Sequence, residues 1–186
     1  IGIAGCGTMG LPMLEVLLKN NINAFGYDIL SKENFSSLEN NFISSKKDFF
    51  QKVDIIFSVV RDINQTKELC EGKNGLFQLN SPKTLIISST LSPAFLNNFF
   101  QNAPENITMI EAPMSGAPMK AKDATLTFMV GAEKNQYDNI LPILNILGEK
   151  IHHIGKFGSG MSVKVLNNFV ASCSVVAVRH VLSEAK

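Results

Sequence analysis

Short apolar runs alternate with longer stretches of helical spacing along this chain. Residues 1–4 form the first apolar run. Leu11, Leu14, Leu17 and Leu18 then fall on one face of a helix. Residues 22–27 and 53–60 predict two further strands. In the latter, Ile55, Ile56, Phe57, Val59 and Val60 are nearly continuous, as in a strand covered on both faces of a parallel sheet. Residues 84–88, 107–112 and 126–130 predict three more strands. Helices are expected over 64–70, 93–101 and 135–147, the last with Leu141, Leu144 and Ile146 toward the core. This alternation predicts an α/β fold with a doubly wound, mainly parallel sheet. After Gly148 the pattern changes to a short strand at 150–154, a glycine-rich turn, and one long helix from about Met161 to the end.

The glycines after the first strand carry the first chemistry. Gly5-Cys6-Gly7-Thr8-Met9-Gly10 is a G-x-G-x-x-G run set between a strand and a helix. In that setting the motif binds a dinucleotide, with the pyrophosphate on the helix N-terminus. Gly5 would allow the tight turn, Gly7 the approach of the pyrophosphate, and Gly10 close packing of helix on strand. The fold is thus of the Rossmann type. The second strand ends at Asp28, eighteen residues past Gly10. A carboxylate there would accept hydrogen bonds from the adenosine ribose and repel a 2′-phosphate, which favours NAD over NADP. The alternative for Asp28 is a turn former ahead of Ser31.

In such a fold ligands sit beyond the carboxyl ends of the strands. The loops expected there are 5–10, 28–31, 60–65, 89–93 and 113–118. Two further segments bear on chemistry. Lys164 and Asn168 are four residues apart on the last helix and share one face. A lysine partly desolvated there would have a lowered pKa and could exchange a proton with a hydroxyl or carbonyl. Val163, Val165 and Leu166 are expected to bury the helix. The competing reading is an ordinary solvated lysine. Ser115 and the N–H groups near Gly116 could form an anion-binding nest for a carboxylate, or only a Pro/Gly turn.

Composition narrows the partners. A net charge of +1, with no basic cluster beyond Lys46 and Lys47, gives no reason to expect nucleic acid. No uninterrupted apolar run reaches membrane-spanning length, so no membrane partner is expected. Cys6, Cys70 and Cys173 fit neither a zinc pattern nor a disulfide framework. They suit a cytoplasmic protein, with an organelle matrix also open because the chain starts without Met. His152 and His153 lack acidic or Cys partners at ligand spacing, so no metal is expected.

Taken in order, three segments resemble the β-hydroxyacid dehydrogenases, a group that includes 3-hydroxyisobutyrate dehydrogenase and tartronate semialdehyde reductase, with 6-phosphogluconate dehydrogenase more distant. The cofactor motif G-x-G-x-M-G is matched by residues 5–10. The substrate motif D-A-P-V-S-G-G is matched by 111–117 with three conservative changes, Glu111 and Ala117 among them. The motif G-x-G-x-x-x-K-x-x-N-N is matched in full by 158–168. The resemblance spans the whole chain. It implies reversible hydride transfer between NAD and a small β-hydroxy acid or its semialdehyde, with Lys164 as the catalytic acid/base. It further implies that Ser115, Gly116 and Asn168 bind substrate. Cofactor contacts would come from Gly5, Cys6, Gly7, Thr8, Met9, Gly10, Asp28, Val60, Arg61, Gln65 and Thr90. Arg61 stands where the family often has proline or a small residue. By the same resemblance residues 1–157 are the dinucleotide-binding domain. Residues 158–186 would begin the long interdomain helix, whose all-helical second domain, missing here, completes the pocket in a homo-oligomer. A dinucleotide-binding fragment or module without turnover is the alternative.

Overall fold

The computed structural model describes residues 1–185, the side chains at 36 and 37 apart. Its frame is an eight-stranded sheet. The strands are β1 (Gly2–Ala4), β2 (Phe25–Tyr27), β3 (Ile55–Ser58), β4 (Lys83–Ile87), β5 (Ile107–Glu111), β6 (Met114–Ser115), β7 (Leu126–Gly131) and β8 (Gly148–Gly155). They run in the order β2-β1-β3-β4-β5-β7-β6, with β8 beside β7. The first five are mutually parallel, and β7 runs antiparallel to β5 and β6. Beyond β2 a third strand is reduced to one parallel bridge, Gly26 to Phe42.

Helices cover both faces. α1 (Gly10–Lys19), α5 (Pro118–Lys122) and α6 (Lys134–Leu147) pack on one; α2 (Lys46–Lys52), α3 (Ile63–Cys70) and α4 (Pro93–Gln101) pack on the other. The period-two alternation of a strand divides neighbouring residues between the two cores. Phe57 and Ile86 join Met13, Leu14 and Leu144 on one face, while Ile56, Leu85 and Ile87 join Phe49, Leu96 and Phe99 on the other. Each large side chain buried this way contributes about 1.5–3 kcal/mol. Helix starts follow local chemistry: Ser45, Asp62 and Ser92 accept from the N–H of Asp48, Gln65 and Phe95.

The predicted doubly wound sheet is present, with narrower limits. Strand 22–27 shrinks to β2 because Asn21 turns the chain in the left-handed region at φ 58°. α2, which the periodicity did not reveal, is short and has charged ends that hide Phe49 and Phe50.

The chain ends in α7 (Ser159–Glu184), and here one expectation is overturned. Val163 and Val165 are more than one-third exposed and Leu166 is 64% exposed. They do not bury the helix; Gly160, Met161 and Lys164 do. Phe169, Val170, Val175, Val176 and Leu182 are also exposed. Counting uninterrupted apolar residues missed a further point: α7 is long and apolar enough to cross a membrane by length and composition.

Candidate functional site

The β1–α1 loop lies at the point where the sheet order reverses, between β1 and β3. Gly5 has φ 95°, a conformation that glycine adopts without steric cost. A Cβ there would also lie 2.7 Å from the Val59 carbonyl oxygen. A Cβ on Gly10 would overlap the Gly5 carbonyl oxygen. Gly7 differs: a Cβ would meet nothing within 4 Å. The fold therefore requires two of the glycines and leaves bare backbone at the third. No side chain caps α1 and no acidic residue occupies its first turn. The Leu11 N–H is taken by the Gly7 carbonyl and Pro12 has none, so what the start of α1 offers an anion is the Gly10 N–H, the backbone of the loop before it and the partial positive charge of the helix. Such a surface fits a dinucleotide pyrophosphate.

Cys6 contributes only backbone to this loop. Its thiol is buried and donates to the Ile3 carbonyl, and burial, then the nearby charge of Asp28, push its pKa up to about 12. Thr8 is exposed and Met9 half-buried. The Gly5 N–H donates to the Tyr27 carbonyl at 2.8 Å, which sets Asp28 beside the loop. Asp28 Oδ1 accepts from the Leu30 N–H at 3.0 Å. The turn-forming role read for Asp28 is therefore present in the structure.

Beyond β3 and β4 a cleft of about 340 Å³ is lined by Arg61, Asp62, Asn64, Thr90, Leu91 and Ser92, together with Ile63. Gln65 Oε1 accepts from the Arg61 N–H, and the Gln65 N–H donates to Asp62 Oδ1, both at 2.9 Å. These two bonds shape the loop that presents the exposed Arg61. The Ser89 hydroxyl donates to the Val60 carbonyl at 2.6 Å and so fastens this loop to the one holding Thr90. The tie joins residues 29 positions apart, so no local pattern in the sequence announces it.

The last helix adjoins this cleft through Leu91, whose N–H donates to the sulfur of the fully buried Met161 at 3.3 Å. Lys164 follows one turn later and is 8% exposed. Among the described residues its Nζ makes no hydrogen bond or ion pair, and burial alone perturbs it. Burial lowers its pKa from the ordinary lysine value of 10.5. Lys83, the other buried lysine among the described residues, instead donates to the Val53 carbonyl and to Asp54. Asn168 is exposed.

Ser115 is half-buried and pairs with Thr127 of β7, while Gly116 is exposed at φ 148°. Gly160 of α7 packs on the same strand, against Met129 and Gly131. β7 thus relates Ser115 to the Lys164 helix, and no hydrogen bond joins them among the described residues. Near the far end of β8, His153 stacks on Tyr137 and its Nε2 lies 2.8 Å from the Ala132 carbonyl oxygen. Among the described residues no three His, Cys, Asp or Glu side chains gather as a metal site would require.

Residues 1–155 match the family model of the NAD binding domain of 6-phosphogluconate dehydrogenase. The chain is 30% identical to 2-(hydroxymethyl)glutarate dehydrogenase of Eubacterium barkeri, over 98% of this chain and 62% of that protein. It is 27% identical to mitochondrial 3-hydroxyisobutyrate dehydrogenase of Rattus norvegicus, over 98% of this chain and 56% of that protein. Among solved structures, 3-hydroxyisobutyrate dehydrogenase from Salmonella typhimurium superposes with a TM-score of 0.84 at 24% identity, over 95% of this chain and 63% of that one. The chain spans about three-fifths of the length of the curated relatives it matches.

Proposed function

We propose, from the premise that this chain belongs to the family of NAD-binding domains of 6-phosphogluconate dehydrogenase and, within it, to the β-hydroxyacid dehydrogenases, that its whole protein is a reversible hydride-transfer enzyme. Its substrate is a small β-hydroxy acid or the matching semialdehyde. Bound NAD supplies the hydride acceptor and donor. The loop from Gly5 to Gly10 holds the pyrophosphate on bare backbone, and Asp28 takes the ribose hydroxyls and turns away a 2′-phosphate. Val60, Arg61, Gln65 and Thr90 line the nicotinamide side. Ser115 and Gly116 hold the substrate carboxylate, and Asn168 holds the substrate beside the lysine.

The reading rests above all on Lys164, a largely buried residue whose amine has no protein partner among the described residues, one turn beyond the residue that abuts the cleft. Its lowered pKa lets a neutral amine take the proton of the substrate hydroxyl in oxidation, and the ammonium returns it in reduction. The sequence relatives support a hydroxy-acid substrate by their names, 2-(hydroxymethyl)glutarate dehydrogenase and 3-hydroxyisobutyrate dehydrogenase.

One observation favours a second reading for the chain by itself, dinucleotide binding without turnover. The apolar side chains of α7 beyond Lys164 lie open, so the pocket has no wall on that side. The test is NADH and NADPH oxidation by the full-length protein against a panel of small semialdehydes carrying a carboxylate. Turnover with NADH is expected. NADH binding with no turnover on any member would leave the binding-only reading.

A further inference from the structure

Glu111 ends β5 and is the one buried acid among the described residues, with 0% exposure. Its Oε2 accepts the N–H of Gly158 at 2.7 Å and that of Gly160 at 3.2 Å. The Met161 N–H also favours the charged form of this carboxyl. These donors are the N-cap residue Gly158 and the first turn of α7, which has no side-chain cap and no acidic residue of its own. A helix start of this kind leaves several N–H groups unpaired, and an anion there is favourable. A strand residue 47 positions earlier supplies that anion.

The same turn is pinned from two other sides. A Cβ on Gly160 would overlap the Met129 carbonyl oxygen and lie 2.8 Å from the Gly131 nitrogen, so the helix backbone rests directly on β7. Met161 accepts the Leu91 N–H from the loop that lines the cleft. Lys164 sits one turn on, with no hydrogen bond of its own among the described residues. Its position is therefore set by the backbone that carries it, and that backbone is fixed by these pins. Glu111 Oε1 is buried and has no hydrogen-bond partner among the described residues. Burial raises the pKa of this carboxyl, and the three N–H groups oppose the rise. Such a group costs stability, whereas an apolar residue in its place would leave the N–H groups of α7 bare.

We infer that Glu111 is a positioning residue for Lys164: by capping the start of α7, its carboxylate fixes how deeply the lysine is held against the sheet. The inference rests on the proposed catalytic role of Lys164 for its meaning in turnover, but the placement it claims can be measured without turnover.

The experiment uses the full-length protein with Glu111→Gln, Glu111→Ala and Gly160→Ala. The Gln variant keeps the volume and one acceptor, so it is expected to fold. Gly160→Ala keeps the carboxylate and displaces the helix by sterics. The pH dependence of Lys164 acetylation by acetic anhydride, read by mass spectrometry, reports the amine's own pKa in each variant. Glu111→Ala and Gly160→Ala should move that pKa up toward the ordinary 10.5 as the amine gains water, with Glu111→Gln between them and wild type. With a substrate in hand, kcat should fall about 10–100-fold, as for a displaced catalytic group, while the Kd for NADH changes less than twofold. An unchanged Lys164 acetylation profile in folded Glu111→Gln and Glu111→Ala protein would overturn the inference. Absence of turnover in wild type, with the acetylation shift present, would count against the proposed function and leave the positioning role standing.

Discussion

Gly7 and Gly10 belong to one motif, yet the structure assigns them opposite costs of substitution. Gly10→Ala drives a methyl into the Gly5 carbonyl oxygen. That oxygen belongs to backbone held at φ 95° and cannot swing aside as a side chain would. Overpacking of this kind costs about 1–3 kcal/mol or more. Gly7→Ala meets nothing within 4 Å, and Gly7 is not at positive φ. Losing glycine's freedom in the unfolded chain should stabilise the protein by about 0.4–1 kcal/mol. For a chain of this size that is a rise in Tm of about 1–4 °C. The new methyl occupies the space offered to the pyrophosphate. Loss of one charge-assisted hydrogen bond costs about 1.5–3 kcal/mol, which weakens the Kd about 10–150-fold. Thermal unfolding by circular dichroism and NADH titration by fluorescence measure the two quantities on the same samples. Gly7→Ala should keep or raise Tm and lose NADH; Gly10→Ala should lose Tm first. A Gly7→Ala protein that binds NADH as wild type does would refute the placement of the pyrophosphate on this loop.

Asp28→Ser removes the charge expected to repel a 2′-phosphate, so the ratio of Kd values for NADPH and NADH should fall at least tenfold; an unchanged ratio in parallel fluorescence titrations would mean that the carboxylate does not face the ribose. Lys164 carries a folded-state pKa below 10.5, so the folded protein holds fewer protons than the unfolded one between those values, and stability rises with pH there. Lys164→Met should accordingly raise Tm at pH 7, with the gain shrinking as pH approaches 10.5, and a flat difference across a pH series of melts would contradict the burial. Glu111 has its folded pKa raised above the ordinary 4.5, so its stability contribution is largest below pH 4.5 and is lost as pH climbs through the folded value; Glu111→Gln should flatten that part of a Tm-against-pH curve. Lys83→Met strips the Val53 carbonyl and Asp54 of their donor and should cost about 1–3 kcal/mol in urea unfolding, with no change in NADH affinity.

The parallel strands were legible because each is apolar on both faces, and the glycine loop because its spacing follows local geometry. Phe49 and Phe50 were hidden in a seven-residue helix flanked by Lys46, Lys47 and Lys52, too short for periodicity to show. The exposed Val163, Val165 and Leu166 were misjudged for a different reason. An apolar residue in a helix predicts that a partner surface exists somewhere, and says nothing of whether the described chain supplies it. The Glu111 cap joins residues 47 and 49 positions apart, so no local pattern announces it. The motif containing Glu111 gave that residue no role of its own, and its carboxylate turns to the start of α7.

Lys164 is the group proposed to move the substrate proton. Its most direct test is Lys164→Ala in the full-length enzyme, with kcat measured beside the Kd for NADH. A general acid/base of this kind contributes about 10²–10⁴-fold, so kcat should fall by that factor while NADH binds within twofold of wild type. A kcat retained within a few-fold, on a protein that still folds and binds NADH, would contradict a proton-transfer role for Lys164.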